Sequence, residues 1–255
     1  MSALAVAGVL TDENGKKYKF SLEEIVTQQP QPKPQPDPES QPKPVVSSIP
    51  LSPEDVRFAK NTKSGPTGVA KGGTLANKTI VDASDAVSVY FGSNGTVKDT
   101  CIQSREGIRV AGGGEVVIDG CYIEVNGIGD DHADGLQTYA PGKRGVIKVR
   151  NSTFKCGMNA ATAGFFVADN WTGTIDFDGV VFCGGPYGAR IHPDTGGDNI
   201  LRFKDVFFVG PFKYDAMRME GAGGHKNRIE LWENVCEATI VNGALVPGKA
   251  IPKPF

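Results

Sequence analysis

From residue 97 onward the chain repeats one short pattern: apolar, polar, a turn-prone residue, two variable positions, apolar. Val97-Lys98-Asp99-Thr100-Cys101-Ile102 carries it first. The successors are Ile118–Ile123 (IDGCYI), Val149–Phe154 (VRNSTF), Phe177–Phe182 (FDGVVF), Phe203–Phe208 (FKDVFF) and Leu231–Cys236 (LWENVC), at spacings of 21, 31, 28, 26 and 28 residues. The Asp, Asn, Gly or Glu at the third position predicts a bend between two short strands. A second column runs between these rows: Ile108/Val110, Leu136/Thr138, Phe165/Val167, Ala189/Ile191 and Met217/Met219, preceded by Gly107, Gly135, Gly164, Gly188 and Ala216. Alternation at period two behind a small residue predicts a strand with one buried face. No helical period separates the strands. Units of this length made of strands and turns bury their apolar faces only against their neighbours, which predicts a solenoid.

The residues ahead of the repeat predict two further segments. Residues 1–27 read as a small unit: AGVLTDENGKKYKF forms two strands around Asn14-Gly15, and SLEEIV begins a short helix with Ser21 as its N-cap. So short a piece holds no core alone, which suits attachment to a partner. Residues 28–50 carry eight of the 17 prolines and predict an extended, semi-rigid linker. Residues 51–255 form the repeat domain, with a cap for its open end expected in 51–96 and an extended tail in VPGKAIPKPF.

Composition narrows the function classes. Over 255 residues the net charge is −2, so neither nucleic acid nor an anionic membrane surface is expected as a partner. No apolar run is long enough for a membrane-spanning helix. The 33 glycines fit turns and close-packed corners and exclude a helical bundle. The five cysteines include no CxxC pair, which argues against a zinc or redox motif, and they read as buried thiols in preference to a disulfide framework. The N-terminus shows no encoded signal peptide, because its charges follow the apolar stretch.

The rungs from about residue 78 to 245 resemble the right-handed parallel β-helix of the pectate-lyase-like superfamily. That resemblance implies an all-β, single-stranded solenoid and a carbohydrate-active protein. HADGLQ (132–137) is similar to a segment of bacterial and phage β-helix proteins assigned to carbohydrate processing. The implied setting is a virion or the cell exterior, with residues 1–27 attached to a larger assembly such as a phage tail. Spikes of this kind are often homotrimers.

Candidate chemistry lies on the outward positions of the second column: Arg109, Gln137, Phe166, Arg190 and Arg218, then Tyr139, His192 and Glu220 two residues on. Arg190 and Arg218 fall on adjacent coils roughly 5 Å apart by strand spacing. They need an anion between them, either a structural one from Glu220 or Asp215 or a functional one from a uronate or other acidic sugar. The longest excursion, 18 residues from Ile118 to Leu136, brings His132 among Asp130, Asp131 and Asp134. These carboxylates read either as calcium ligands or as turn caps. Tyr187 and Tyr214 precede matching strands and suit stacking on sugar rings or turn packing.

For acidic polysaccharides the resemblance implies β-elimination. Arg190, Arg218 or calcium would neutralise the uronate, His192 would take the α-proton, and Tyr139 would protonate the leaving oxygen. Lys226 is an alternative base. Phe166 is an apolar platform, and His132, Asp134, Gln137 and Tyr187 are substrate contacts. Two alternatives stay open: a glycoside hydrolase using the 130–134 carboxylates, and a glycan-binding or structural appendage without catalysis.

Overall fold

A computed structural model describes residues 6–22, 48–194, 196–221 and 223–255. The chain divides into two compact units, Met1–Gln41 and Pro42–Phe255. In the first, β1 (Val6–Thr11) and β2 (Lys17–Leu22) pair antiparallel. Asp12 Oδ1 accepts from the amides of Asn14 and Lys16 across the turn. The Asn-Gly hairpin is therefore present. Ser21, the expected N-cap, pairs with Ala7 in β2, and residues 23–26, the rest of the expected short helix, lie outside the described residues. Residues 23–47, which hold most of the expected linker, lie outside the described residues.

The second unit is all-β and dominated by parallel pairing. Its strands are β3 (Thr62–Ser64), β4 (Thr67–Val69), β5 (Thr74–Ala76), β6 (Lys78–Phe91), β7 (Gly95–Lys98), β8 (Cys101–Val110), β9 (Gly114–Asp119), β10 (Tyr122–Val125), β11 (Ala133–Thr138), β12 (Arg144–Cys156), β13 (Ala161–Val167), β14 (Thr172–Cys183), β15 (Tyr187–Ile191), β16 (Asn199–Val209), β17 (Asp215–Met219), β18 (Asn227–Val241) and β19 (Ala244–Ala250). They make one curled sheet in which strands pair with partners about one repeat away.

Three stacked ladders result. The first aligns Leu75, Val97, Ile118, Val149, Phe177, Phe203 and Trp232. The second aligns Ile80, Ile102, Ile123, Phe154, Phe182 and Phe208. The third aligns Val89, Ile108, Leu136, Phe165, Ala189 and Met217. Side chains from all three meet in one apolar core. Rings one rung apart stack: Phe154 on Phe182 at 5.6 Å, Phe182 on Phe208 at 5.3 Å and Phe203 on Trp232 at 5.2 Å between centroids. Each fully buried phenylalanine contributes roughly 2–3 kcal/mol by removal from water.

The bend between the first and second ladders recurs at one column: Asn77, Asp99, Gly120, Asn151, Gly179, Asp205 and Asn234, with φ from 44° to 73°. A left-handed backbone suits Gly, Asn and Asp and penalises other side chains. This corrects the last repeat. Phe203 pairs with Trp232 and Val206 with Val235, so the row is Trp232–Glu237 and its bend residue is Asn234 in place of Glu233. A register shift at Leu201/Arg202 supplies the extra residue.

Three other segments differ from expectation. Residues 48–50 are packed, not linker: Ile49 is buried and the Pro50 carbonyl accepts from Thr153 Oγ1 at 2.6 Å. With the 3-10 turn Val56–Phe58, this strap covers outward side chains of the second ladder. Phe58 contacts Cys101 and Tyr122, and Ile49 packs with Val181, Phe207 and Cys236. It therefore lies along a flank, while β3, β4 and β5 form the first rung. At the other end the first half of the expected tail belongs to β19, antiparallel to β18. Asn242-Gly243 turns the chain with φ of 51° and 77°, as a type I′ hairpin requires. Trp232 Nε1 donates to Ile251 O. All five cysteines are free thiols, four of them buried.

Two features of the stack predict stability effects. A Cβ on Gly135 would lie 2.3 Å from Gly164 O, so Gly135→Ala is expected to lower stability by about 2–4 kcal/mol. Gly65→Ala, which meets nothing within 4 Å, should stay within about 0.5 kcal/mol in the same thermal or denaturant melt. On the outer side of the first ladder, Lys98, Asp119, Arg150, Asp178, Lys204 and Glu233 alternate in sign from rung to rung. Lys204→Glu sets three acids in a row and is expected to cost about 1 kcal/mol at low salt. The loss should shrink in concentrated salt; a salt-independent loss contradicts the charge-pairing account.

Candidate functional site

The third ladder turns alternate side chains outward, and its register stacks Tyr90, Arg109, Gln137, Phe166, Arg190 and Arg218 in one column. The expected outward column is thus present and extends one rung further, to Tyr90. Its residues form two groups. In the first, Arg109 donates to Glu106 at 2.6 Å and to Gln137 at 3.4 Å and lies over the Tyr139 ring at 5.6 Å. Glu106 is buried and also pairs with Arg105.

The second group is denser. Two guanidinium charges one strand spacing apart repel by about 3 kcal/mol at the effective dielectric of a protein surface. Glu220 answers this, as one of the two structural options required. Its Oε2 accepts from Arg190 Nη2 at 3.1 Å and Nε at 3.3 Å, and its Oε1 pairs with Arg218 Nε. His192 Nε2 is 3.9 Å from the same carboxylate. His192 Nδ1 meets Asp194 Oδ1, while Asp194 Oδ2 accepts from the amide of Asn170 at 2.9 Å. With Nδ1 engaged by the Asp194 carboxylate, Nε2 on the Glu220 side is the ring nitrogen left for another partner. Arg218 Nη1 donates to Tyr187 Oη at 2.7 Å, which leaves the phenol proton free to be donated elsewhere. Arg190 lies over the Phe166 ring at 5.1 Å. The Tyr187 bond, with Glu220, holds the Arg218 charge more firmly than usual.

Beside this cluster opens a cleft of about 560 Å³, whose lining includes Asp130, His132, Met158, Tyr187, Arg190 and Tyr214. Tyr187 and Tyr214 face each other with ring centroids 5.2 Å apart, and Lys213 lies over Tyr214. The long 127–132 loop forms one wall. Asp131 is tied within it, accepting from Ile128 N at 2.8 Å and pairing with Arg105 at 3.1 Å, which lowers its pKa. A second cleft of about 600 Å³ lies beside the strap. There Lys155, Gln103 and Tyr122 are all directed onto Glu124.

The structure brings Tyr187, Arg190, His192 and Arg218 together, with Phe166 adjacent. Tyr139 stands with Arg109 and Gln137, two strands from His192. His132 lines the cleft near Thr162. Asp134 is fully buried, so it offers no oxygen to a ligand. Lys226 belongs to a corner where its amide donates to Asp198, beside His225. Among the described residues no three His, Cys, Asp or Glu side chains are arranged to hold a metal ion; Asp131 is committed to Arg105 and Asp134 is enclosed. Sequence reasoning missed Asp194 and Glu106, whose signals were an acid two residues beyond a histidine just past a strand end and one three residues before an outward arginine. Comparison with known protein families, curated proteins and solved structures finds no match to this chain.

Asp134 generates a pH prediction. Its Oδ1 accepts from Ala163 N at 2.9 Å, but Oδ2 has no partner. Burial, with Glu106 adding to it, raises its pKa well above 3.8, against the pull of the Ala163 amide, Arg190 and Arg109. A carboxyl with a raised folded pKa contributes stability that is complete below its unfolded value and is lost as pH climbs through the folded value. The unsubstituted chain should therefore lose stability upward from about pH 4, relative to Asp134→Asn, which keeps an acceptor for Ala163 N and does not titrate. Parallel denaturant melts of both chains across that range test this, and a stability difference that stays constant with pH overturns it.

Proposed function

We propose that the chain is a single-stranded right-handed parallel β-helix that cleaves an acidic, uronate-containing polysaccharide by β-elimination on the outer face of its third ladder. The observation that carries the reading is the linked set Tyr187–Arg218–Glu220–Arg190 with the His192–Asp194 pair, largely half-buried beside an aromatic-lined cleft. Stacked parallel ladders with a shared core support the helix.

In this reading Arg190 and Arg218 neutralise the uronate carboxylate, which makes the neighbouring carbon acid stronger. His192 Nε2 removes the α-proton. The electron pair forms a carbon–carbon double bond as the bond to the leaving oxygen breaks, and that oxygen takes the Tyr187 proton. Arg218 stabilises the phenolate left behind, which regains a proton from solvent as His192 gives the α-proton up to solvent. Tyr187 takes the acid role expected of Tyr139 because it belongs to the arginine cluster. Tyr139 and Phe166 become platforms for sugar faces. The β1–β2 hairpin is proposed to attach the chain to a larger assembly such as a phage tail.

The test is release of unsaturated uronate ends, read by ultraviolet absorbance, from alginate, pectate, hyaluronate and bacterial capsule preparations. His192→Ala and Tyr187→Phe should each lower the rate by at least about a hundredfold, and Tyr139→Phe much less. New reducing ends without that absorbance indicate a hydrolase. Binding with neither product favours the glycan-binding reading, in which Glu220 simply satisfies the two arginines.

A further inference from the structure

Three cationic or titratable side chains from two adjacent rungs converge on one carboxylate that the chain itself supplies. Arg190 reaches Glu220 with two nitrogens, Arg218 with one, and His192 Nε2 faces the same oxygen as Arg190. This is the geometry of a site built for a carboxylate, occupied from within. Glu220 follows the last residue of β17 and precedes Gly221. Its backbone is anchored separately, the carbonyl accepting from Asn227 Nδ2 at 3.3 Å while the same amide group reaches Ile191 O at 3.1 Å. The side chain can leave without disturbing the strand. It also sits within reach of solvent, 22% exposed against 46% for Arg218, so an incoming anion meets the same arginine faces. Elsewhere the fold avoids stacked like charges by alternating signs, as on the first ladder. Here it keeps two arginines adjacent and lays a movable acid across them.

We propose that Glu220 is a placeholder for a ligand carboxylate: it holds Arg190, Arg218 and His192 assembled in the empty site, and an acidic sugar binds by displacing it. This deepens the carbohydrate reading of the same face and rests on it. The device makes the site selective for carboxylated over neutral sugars, since only an anion compensates the arginines that Glu220 releases. It also lowers affinity, because each ligand must compete with an intramolecular acid.

The experiment is isothermal titration of the full chain, Glu220→Ala, Glu220→Gln and the control Glu230→Ala with oligogalacturonate and with a neutral maltooligosaccharide. Removing two partly exposed ion pairs from the competition should tighten oligogalacturonate binding by about tenfold in both Glu220 variants. The neutral sugar and the control variant should show no change. The proposal fails if folded Glu220 variants bind the acidic oligomer no tighter, or if the neutral sugar gains equally. It fails too if neither variant folds, since a placeholder has to be dispensable for folding. Tighter acidic binding without any unsaturated product removes the lyase reading and keeps the placeholder. Unsaturated product without that gain does the reverse.

Discussion

The column of left-handed residues from Asn77 to Asn234 is the constraint on which the rest of the second unit depends. Each rung must leave the first ladder and enter the second at the same place, or the next rung has nothing to pair with. A backbone with φ near 50° makes that corner in one residue, and Asn, Asp or Gly occupies it every time. Side-chain amides reinforce the stack, as where Asn234 Nδ2 donates to Asp205 Oδ1 at 2.6 Å and Asn151 Nδ2 to Asp119 Oδ1 at 3.2 Å. Because the corner repeats, side chains at matching positions superpose, and a column in the sequence becomes a row in space.

Superposition makes charge the main difficulty of the outer faces, since neighbouring rungs are about 4.8 Å apart. The first ladder answers by alternation, Lys98 against Asp119 and Arg150 against Asp178. The second buries its outward column under the strap, with Thr153 held by the Pro50 carbonyl. The third ladder alone sets Arg190 beside Arg218 and resolves the repulsion with a half-buried acid and an aromatic hydroxyl. That departure is what singles out this face. Local conflict that is compensated by specific neighbours is where function tends to concentrate.

Glu220 and Asp134 show two fates for a carboxylate near those arginines. Glu220 is reached directly by both guanidinium groups, with His192 Nε2 3.9 Å from the same carboxylate. Asp134 lies under the same strand face, enclosed, with one oxygen on an amide and the other unmatched. The first is suited to exchange with a ligand, whereas the second is locked in the protein interior.

Much of this was legible in the chain alone, because a parallel stack translates period-two patterning directly into contacts. Ile108, Leu136, Phe165, Ala189 and Met217 do align, the glycines before them do lie where a backbone passes too close for a Cβ, and Arg190 does neighbour Arg218. The one-residue error in the last row arose because Leu231 satisfies the apolar pattern as well as Trp232. Only the bend conformation, which Asn234 accepts more readily than Glu233, separates them. What no pattern carried was everything set by side-chain direction between non-repeating segments. That includes the strap over the second ladder, β19 closing the far end, the burial of Asp134 and the choice of Tyr187 over Tyr139 as the hydroxyl joined to the arginines. Repetition determines register because it is local and periodic. The site depends on which single side chains turn toward one another across rungs, and only the assembled stack decides that.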